Sequence, residues 1–260
     1  MANGISTTAF SEKEADREDR FEHVWSEELD DVFKDVAVYY DKANSIAAAG
    51  LWGYLRRSFL SIIDVNPNEH VLDVCGGTNA VGIAILKKEP TLKVTAIDRS
   101  RAMQEVGQQR ARAAGFEIES VIDDVHHLPF PDNSFDAVTL QFASRHLRVM
   151  QVFQEIRRVL KPGGRFYHSD MLRPENRLVA RMYYAYLRLC LTMTAKLFNS
   201  SETALNCRKY FVQVLSMFYS AGELSALMES TGFTNVTNKT VLKGMLGFHR
   251  AEKPRDETIS

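Results

Sequence analysis

The sequence lacks several features that mark particular classes of protein. It has only three cysteines, Cys75, Cys190 and Cys207, an odd number without metal-ligand spacing. This excludes a disulfide framework and a cysteine-based zinc site as organising elements. It also has no apolar run of about 18 residues and no signal-peptide pattern at its start, so we predict no transmembrane helix and a reducing, cytoplasmic location.

The chain also lacks an excess of positive or negative charge. The 32 lysines and arginines nearly balance the 33 acidic residues, for a net charge of −1. Without a basic field or a repeat of aromatic and arginine residues, we predict no nucleic-acid partner. What is present, 45% hydrophobic and 25% charged residues in 260, indicates one substantial α/β core with an appendage.

Composition divides the chain into three parts. Residues 1–20 are dominated by small, polar and charged types, which predicts a mobile leader. Residues 21–250 are predicted to form a single domain that begins with helices, because Phe21, Val24 and Trp25 recur at helical spacing. Residues 251–260 are predicted to be a loose tail.

Short apolar runs alternate with helical patterns through the middle of the chain. They predict strands at residues 71–75, 93–97, 117–122, 137–141 and 165–170, followed by two closing strands near residues 235–241 and 245–249. This alternation is typical of an α/β fold with a doubly wound, mostly parallel seven-stranded sheet, in which ligands bind at the carboxyl ends of the strands.

The stretch from His70 to Ala80, HVLDVCGGTNA, is the motif around which the other predicted site residues are arranged. A buried strand leads into Gly76 and Gly77 and then into a helix. Glycine allows backbone N–H groups to approach a ligand and allows a positive φ. Two glycines alone are also compatible with a plain tight turn.

Acidic residues follow the next two predicted strands. Asp98 comes about twenty residues after the glycine turn, where a carboxylate accepts the hydroxyls of a ribose. The alternative, that Asp98 caps the next helix, is disfavoured because Ser100 is available as the cap. Asp124 follows strand three and is predicted to accept from an exocyclic amine such as that of adenine. His126 and His127 lack a third ligand, so we predict exposed loop residues and no metal.

A long helix is predicted at residues 177–198. Its basic residues fall within one arc of about 100°, which leaves its apolar residues on the other faces. The basic set is Arg177, Arg181, Arg188 and Lys196, and the apolar set is Leu178, Met182, Tyr183, Tyr186, Leu189 and Met193. Two interpretations stay open: a core helix with one solvated stripe, which we prefer, and a lid over an apolar substrate that rests on lipid headgroups.

Taken together, several stretches resemble the class I S-adenosylmethionine-dependent methyltransferases, and within them the quinone-biosynthesis C-methyltransferases that act on demethylmenaquinone and the ubiquinone precursor. These stretches are VFKDVAVYYD, VLDVCGGTN, LPFPDNSFD, RVLKPGGRF, AGELSALMESTGF and GFHR. The similarity covers residues 32–250. It implies a Rossmann-like fold with N-terminal helices and a helical lid at residues 175–219, S-adenosylmethionine as cofactor, and an apolar aromatic acceptor.

The resemblance also implies site residues. The cofactor residues are expected to be Asp73, Cys75, Gly76, Gly77, Thr78, Asn79, Asp98, Arg99, Asp124, Val125, Gln141 and Phe142. Arg145, His146 and Asp170 are nominated as catalytic, because a ring carbon becomes nucleophilic when the neighbouring hydroxyl loses its proton. Two roles for Arg145 stay open: a base acting through a bound water, or a fixed positive charge that stabilises the oxyanion.

The chain departs from the family pattern at several positions. Asn79 and Ala80 replace the usual glycine and aspartate; asparagine tolerates a left-handed backbone, so the turn is expected to survive. His146 replaces an asparagine and Gln213 a glutamate, both expected near the substrate. Three functions therefore stay open: a quinol C-methyltransferase, a methyltransferase of another aromatic or lipid acceptor, and a non-catalytic binding protein. Contact with a membrane surface and homodimer formation are also left open.

Overall fold

A seven-stranded sheet forms the centre of the computed structural model, which describes residues 7–37, 39–48, 50–197 and 208–255. The strand order is β3-β2-β1-β4-β5-β7-β6, and β7 runs antiparallel to both of its neighbours. The strands are β1 His70–Val74, β2 Lys93–Ile97, β3 Glu119–Val121, β4 Phe135–Gln141, β5 Leu160–Met171, β6 Thr234–Val241 and β7 Leu246–Glu252. The predicted fold class is confirmed.

Helices cover both faces of this sheet. They are α1 Thr7–His23, α2 Leu29–Val36, α3 Tyr40–Ala47, α4 Trp52–Leu60, α5 Ala80–Lys88, α6 Arg101–Ala113, α7 Val149–Val159, α8 Arg177–Leu197, α9 Arg208–Ser216 and α10 Ala221–Ser230. One apolar core lies between the sheet and helices α7 and α10, and a second lies between the sheet and α4 and α5. Because β1 lies between β2 and β4, the strand order reverses there, and a crevice opens at the carboxyl ends of these strands.

The N-terminal helix is an integral part of the fold. The side chains of Phe10 and Arg17 are buried on α1. Arg17 Nη2 donates to the carbonyls of Arg145 (2.9 Å) and Leu147 (3.3 Å), and its Nη1 forms an ion pair with Glu14. The prediction of a mobile leader is wrong for residues 7–20, because a buried charge pair with backbone partners orders a segment whose composition alone is polar. Residues 1–6 lie outside the described residues.

Removing the Arg17 charge is expected to destabilise the protein. The change Arg17→Met leaves the Glu14 carboxylate buried without its partner, so we expect the free energy of unfolding to fall by about 3 kcal/mol. The same change at the exposed Arg20 of α1 should cost about 0.5 kcal/mol or less. Guanidinium unfolding of both variants measures the difference; equal small losses would mean that α1 adds little to stability.

The C-terminal strand is longer than predicted. Strand β7 continues to Glu252, and Lys253 beyond it is buried, with Nζ donating to Asn133 Oδ1 and the Leu160 carbonyl at 2.9 Å each. The prediction of a loose tail is therefore wrong for residues 251–253, because pairing with β5 and a buried lysine hold this segment. Residues 256–260 lie outside the described residues.

Helix α8 differs from the preferred interpretation. Its Tyr183 and Leu187 are buried against α9, but Leu178, Leu189 and Met193 are 67%, 59% and 56% exposed. The helix is therefore not a core helix, since only one edge of its apolar surface is packed. In the described residues, no single helix is long and apolar enough to cross a membrane, and one bent pair, residues 209–216 with 221–230, meets that criterion by length and composition.

Candidate active site

The turn after β1 has an unusual backbone. Cys75, Gly77 and Asn79 all have a positive φ, of 53°, 51° and 55°. A Cβ on Gly76 would lie 3.0 Å from the Ala96 Cβ, so this position has no room for a side chain. The expected tolerance of Asn79 for the left-handed region is confirmed. Because two non-glycine residues occupy a sparsely populated region, the surrounding structure must hold the turn in place.

Helix α6 supports this turn from behind. A Cβ on Gly107 would lie 2.8 Å from the Gly77 carbonyl oxygen and 2.9 Å from the Asn79 Cγ. Only glycine allows the helix to approach so closely. Sequence reasoning missed Gly107, although an isolated glycine within a helical pattern indicates a close backbone approach.

A first cavity, here called the polar cavity, opens at the carboxyl ends of β1, β2 and β4 and encloses about 1080 Å³, part of it open to solvent. Every expected cofactor residue except Asn79 lines it: Asp73, Cys75, Gly76, Gly77, Thr78, Asp98, Arg99, Asp124, Val125, Gln141 and Phe142. Asn79 is buried in the turn and shapes the backbone instead. Gly77, Asp98 and Asp124, which are distant in sequence, thus meet around one space.

Asp98 sits beside the glycine turn. Its Oδ2 accepts from the Gly77 N–H (3.0 Å) and its Oδ1 from the Ser100 N–H (2.8 Å). Burial raises the pKa of Asp98 to about 6, although these two hydrogen bonds act to lower it. Ser100 caps α6, as predicted, with Oγ accepting from the Met103 N–H. Each Asp98 oxygen therefore has a lone pair left for a ligand.

Asp124 is paired with a histidine that the sequence did not assign to the site. Asp124 Oδ1 accepts from the His126 N–H (3.0 Å) and contacts His126 Nδ1 at 2.6 Å. Partial burial acts to raise the pKa of Asp124, but the His126 hydrogen bonds outweigh it and hold that pKa below its usual value. His126 lines the polar cavity and is partly buried, so the prediction of an exposed loop residue is wrong for it, whereas His127 is exposed.

No metal centre accompanies these histidines in the described ranges, where no group of three or more His, Cys, Asp or Glu side chains could hold an ion.

Arg99 fastens the N-terminal helices over the polar cavity. Its guanidinium donates to the carbonyls of Trp25 (2.6 Å) and Ser26 (3.2 Å) and to Asp30 Oδ2 (2.8 Å). Trp25 and Ser26 lie in a π-helical turn, residues Val24–Glu28, whose wider backbone leaves carbonyl groups available to other donors. Arg99 therefore holds one wall of the cavity in place. The sequence did not predict this structural role.

Asp73 is an acidic group in an apolar position. Its side chain is 2% exposed, and Thr139 Oγ1 donates to its Oδ1 at 2.7 Å. Burial raises the pKa of Asp73 from 3.8 to about 7, against the Thr139 hydrogen bond, which lowers it. In the folded protein the Asp73 carboxyl group therefore stays mostly protonated up to about pH 7, whereas in the unfolded chain it ionises near pH 3.8.

This shift makes stability depend on pH. The contribution of Asp73 is fully present below pH 3.8 and is lost as pH rises to about 7. The side chain of the variant Asp73→Asn does not titrate, so this part of the pH dependence is absent from it. Between pH 5 and pH 8 the free energy of unfolding of the wild type should therefore fall by about 2 kcal/mol relative to that of the variant. Guanidinium unfolding at both pH values tests this, with the exposed Asp123→Asn as the control. A pH-independent difference would contradict it.

A second cavity adjoins the first and is here called the apolar cavity. It spans about 1280 Å³, part of which is open to solvent. Its lining residues are mostly apolar: Tyr40, Asn44, Ala48, Leu51, Trp52, Leu55, Phe142, Arg145, Met171, Met182, Tyr183, Tyr186, Leu187, Leu242, Met245 and Leu246. The helices α3, α4 and α8 supply half of these sixteen residues, and the strand motifs could not indicate those eight.

Tyr40, Trp52 and Phe142 line both cavities and form their shared wall. The rings of Trp52 and Phe142 are stacked, with centroids 5.2 Å apart. Phe142 has a positive φ of 57°, a strained conformation for a bulky residue directly after β4. Ligands in the two cavities would therefore meet at this wall.

Arg145 is the charged group of the apolar cavity. Its Nη1 donates to the Phe142 carbonyl (2.8 Å) and forms an ion pair with Asp170. Burial acts to lower the pKa of Arg145, but Asp170 and Tyr40 raise it above its ordinary value. Arg145 is thus held as a cation, which favours the fixed positive charge over the base acting through water.

The structure places the other two nominated catalytic residues outside the apolar cavity. Asp170 is fully buried behind Arg145, accepts from the Arg145 N–H (3.1 Å) and Ser144 Oγ (2.6 Å), and lines neither cavity. Asp170 therefore holds the guanidinium and the backbone N–H of Arg145 in place.

His146 lines the polar cavity and not the apolar cavity. Its Nδ1 is hydrogen-bonded to Tyr210 Oη, which also accepts from Trp25 Nε1 at 2.9 Å. Burial, with the nearby charges of Arg145 and Arg17, lowers the pKa of His146 well below its usual value. Because a base with so low a pKa accepts protons weakly near neutral pH, this environment disfavours His146 as a general base, and its catalytic role stays a prediction.

Gln213, the other departure expected near the substrate, is exposed and lines neither cavity. That expectation is wrong, since α9 turns this residue away from the cleft.

The comparisons with known proteins agree with this geometry. A sequence model described as the ubiE/COQ5 methyltransferase family matches residues 21–253. The ubiquinone/menaquinone biosynthesis C-methyltransferase UbiE of Pseudomonas entomophila is 32% identical over 229 residues, which cover 86% of this chain and 88% of that protein. Its namesake from Pseudomonas syringae pv. syringae is 32% identical over 241 residues, with 88% and 90% covered.

Among solved structures, phosphoethanolamine N-methyltransferase 2 of Haemonchus contortus, in complex with S-adenosyl-L-methionine, aligns with a TM-score of 0.59 at 16% identity. The alignment covers 79% of this chain and 53% of that one, and it shows the shared fold. The match across residues 21–253, together with the identities to the two relatives, establishes that this chain belongs to the ubiE/COQ5 methyltransferase family.

Proposed function

We propose that this protein transfers the methyl group of S-adenosylmethionine to a ring carbon of a quinol or a related apolar aromatic acceptor, as a step of quinone biosynthesis in the cytoplasm. The names of the Pseudomonas relatives support the acceptor class. The observation that carries the proposal is the shared wall: a polar cavity with a glycine turn and carboxylates meets an apolar cavity with one cation.

The residues of the polar cavity fit an adenosyl sulfonium cofactor. Gly76 and Gly77 line the cavity without side chains, so a ligand can approach their backbone, and Asp98 has acceptor capacity for a ribose. Asp124 can accept from an amine at the edge of a base. Among the described residues, His146 Nε2 is buried without a hydrogen-bond partner, which is unusual unless a ligand or water completes it.

The chain's own residues would then govern the reaction. When bound, the cofactor supplies an electrophilic methyl group. The shared wall of Tyr40, Trp52 and Phe142 orients both ligands, and correct positioning in a dry site supplies roughly 7 to 11 kcal/mol. The acceptor hydroxyl would pass its proton to solvent water, and the Arg145 cation would stabilise the negative charge left on that oxygen. The ring carbon that takes the methyl group would then release its own proton to water, which restores the aromatic ring. Asp170 holds the guanidinium in place.

Incubation with S-adenosylmethionine carrying a labelled methyl group and a membrane-lipid extract tests the proposal. We expect a labelled aromatic product whose mass is one methylene greater than that of its precursor, with the label on a ring carbon. A labelled product of another class would support the second function left open by the sequence. Absence of cofactor binding in calorimetry would leave only the non-catalytic binding protein.

A further inference from the structure

The mouth of the apolar cavity is itself apolar. Four residues line the cavity and are also exposed: Leu51 (42%), Met182 (65%), Tyr186 (41%) and Leu242 (47%). Helix α8 extends this surface with Leu178, Leu189 and Met193, and its five exposed apolar residues fall on one arc of about 80°. We call these seven residues the mouth patch. A contiguous exposed apolar surface of this kind marks an interaction site.

The elements that carry the mouth patch also carry exposed cations. They are Arg177, Arg181 and Arg188 on α8, Arg56 and Arg57 on α4, and Lys243 beside Leu242. Neither α4, α8 nor residues 242–245 contain an acidic residue. In a chain with a net charge of −1, this is a local concentration of positive charge. Apolar residues beside arginines and lysines are the chemistry that recognises an anionic lipid surface.

The backbone at Leu242 also fits an insertion site. Leu242 and Lys243 both have a positive φ, of 52° and 55°. The left-handed backbone conformation of two successive non-glycine residues costs free energy, so the rest of the fold must hold this turn in place. The turn exposes a leucine and a lysine side by side at the cavity mouth.

We propose that the mouth patch docks on the headgroup layer of an anionic lipid bilayer, with α8 lying in the plane of the membrane. An acceptor with an apolar tail then enters the apolar cavity directly from the bilayer. A second copy of the chain fits this surface less well, because a two-fold interface would bring the same six cations together. The inference rests on the proposed function and names the surface from which its substrate arrives.

Flotation of the full-length protein with vesicles tests this docking. We expect binding to vesicles of phosphatidylcholine mixed with phosphatidylglycerol, and binding about ten-fold weaker or more to phosphatidylcholine alone. The variant Leu178→Gln/Leu189→Gln/Met193→Gln, whose sites line neither cavity, should also lose about ten-fold or more.

Two charge variants separate local from global effects. Arg177→Gln/Arg181→Gln/Arg188→Gln should weaken binding to the mixed vesicles by about ten-fold or more. The matched control Lys87→Gln/Lys93→Gln/Arg112→Gln removes three exposed cations elsewhere and should bind like the wild type. Equal losses in both variants would show a net-charge effect and overturn the docking surface.

Other results would also overturn the proposal. A wild type that does not bind the mixed vesicles would do so, as would a dimer that dissociates in the apolar triple variant, or a lower melting temperature of that variant. Activity separates the two proposals. The apolar triple variant should lose turnover of a vesicle-embedded acceptor and keep that of a tail-less, water-soluble one. If the wild type methylated neither acceptor, the proposed function would fail while vesicle binding remained a valid test.

Discussion

The variant Arg145→Ala is expected to lose about 100- to 1000-fold in kcat, while its Kd for S-adenosylmethionine changes about two-fold or less. The reason is position: Arg145 lines the apolar cavity and not the polar one. Single-turnover rates with the labelled cofactor and calorimetric titration measure the two quantities separately. Equal losses in both would contradict the assignment of Arg145 to the acceptor.

The stability of the Arg145→Ala variant needs its own control. Removing Arg145 leaves the Asp170 carboxylate buried without its partner, which destabilises by about 3 kcal/mol or more. The double variant Arg145→Ala/Asp170→Asn removes that charge, so it should recover stability but not kcat. Arg148→Ala, three residues further on and lining neither cavity, should keep both near the wild type.

The second large effect is expected at Asp98. The variant Asp98→Ala should raise the Kd for S-adenosylmethionine about 100-fold, because two charged hydrogen bonds to the ribose are lost. Calorimetry measures this, and Glu105→Ala, an exposed acidic residue of α6, serves as the control. An unchanged Kd in Asp98→Ala would place the cofactor elsewhere.

The pKa of Asp98 adds a pH dependence. Because burial raises that pKa to about 6, protons compete with the cofactor below this pH. The affinity of the wild type should therefore fall about ten-fold between pH 7 and pH 5. The Asp98→Ala variant should show a shallower dependence over the same range.

The sheet and the glycine turn were predictable because their signals are local. Buried strands read as short apolar runs, and carboxyl ends of parallel strands meet at one edge of a sheet. These two signals together predict that Gly77, Asp98 and Asp124 lie close to one another, as they do around the polar cavity. The left-handed Asn79 followed equally from the backbone preference of a single residue type.

The cavity walls that helices supply could not be predicted from local sequence signals. Tyr40 and Trp52 reach the site through the packing of α3 against α8 and α4, and of α4 against the sheet, and no local sequence pattern encodes these contacts. The order of α1 depends on Arg17, whose partners lie about 130 residues away in sequence. Composition alone counts Arg17 as a solvated charge.

The fold also separates two neighbouring residues that the family resemblance groups together. His146 follows Arg145 in sequence, but a short 3-10 turn, Ser144–His146, directs the two side chains to different cavities. Sequence adjacency therefore grouped two residues that the fold separates.

A crystal structure of the protein with S-adenosylhomocysteine tests the central claim most directly. The account predicts the adenosyl group in the polar cavity, with the ribose hydroxyls within hydrogen-bond distance of Asp98 and the adenine beside Asp124. The sulfur should point toward the shared wall of Tyr40, Trp52 and Phe142. An adenosyl group bound in the apolar cavity, or on any other surface of the molecule, would contradict the account.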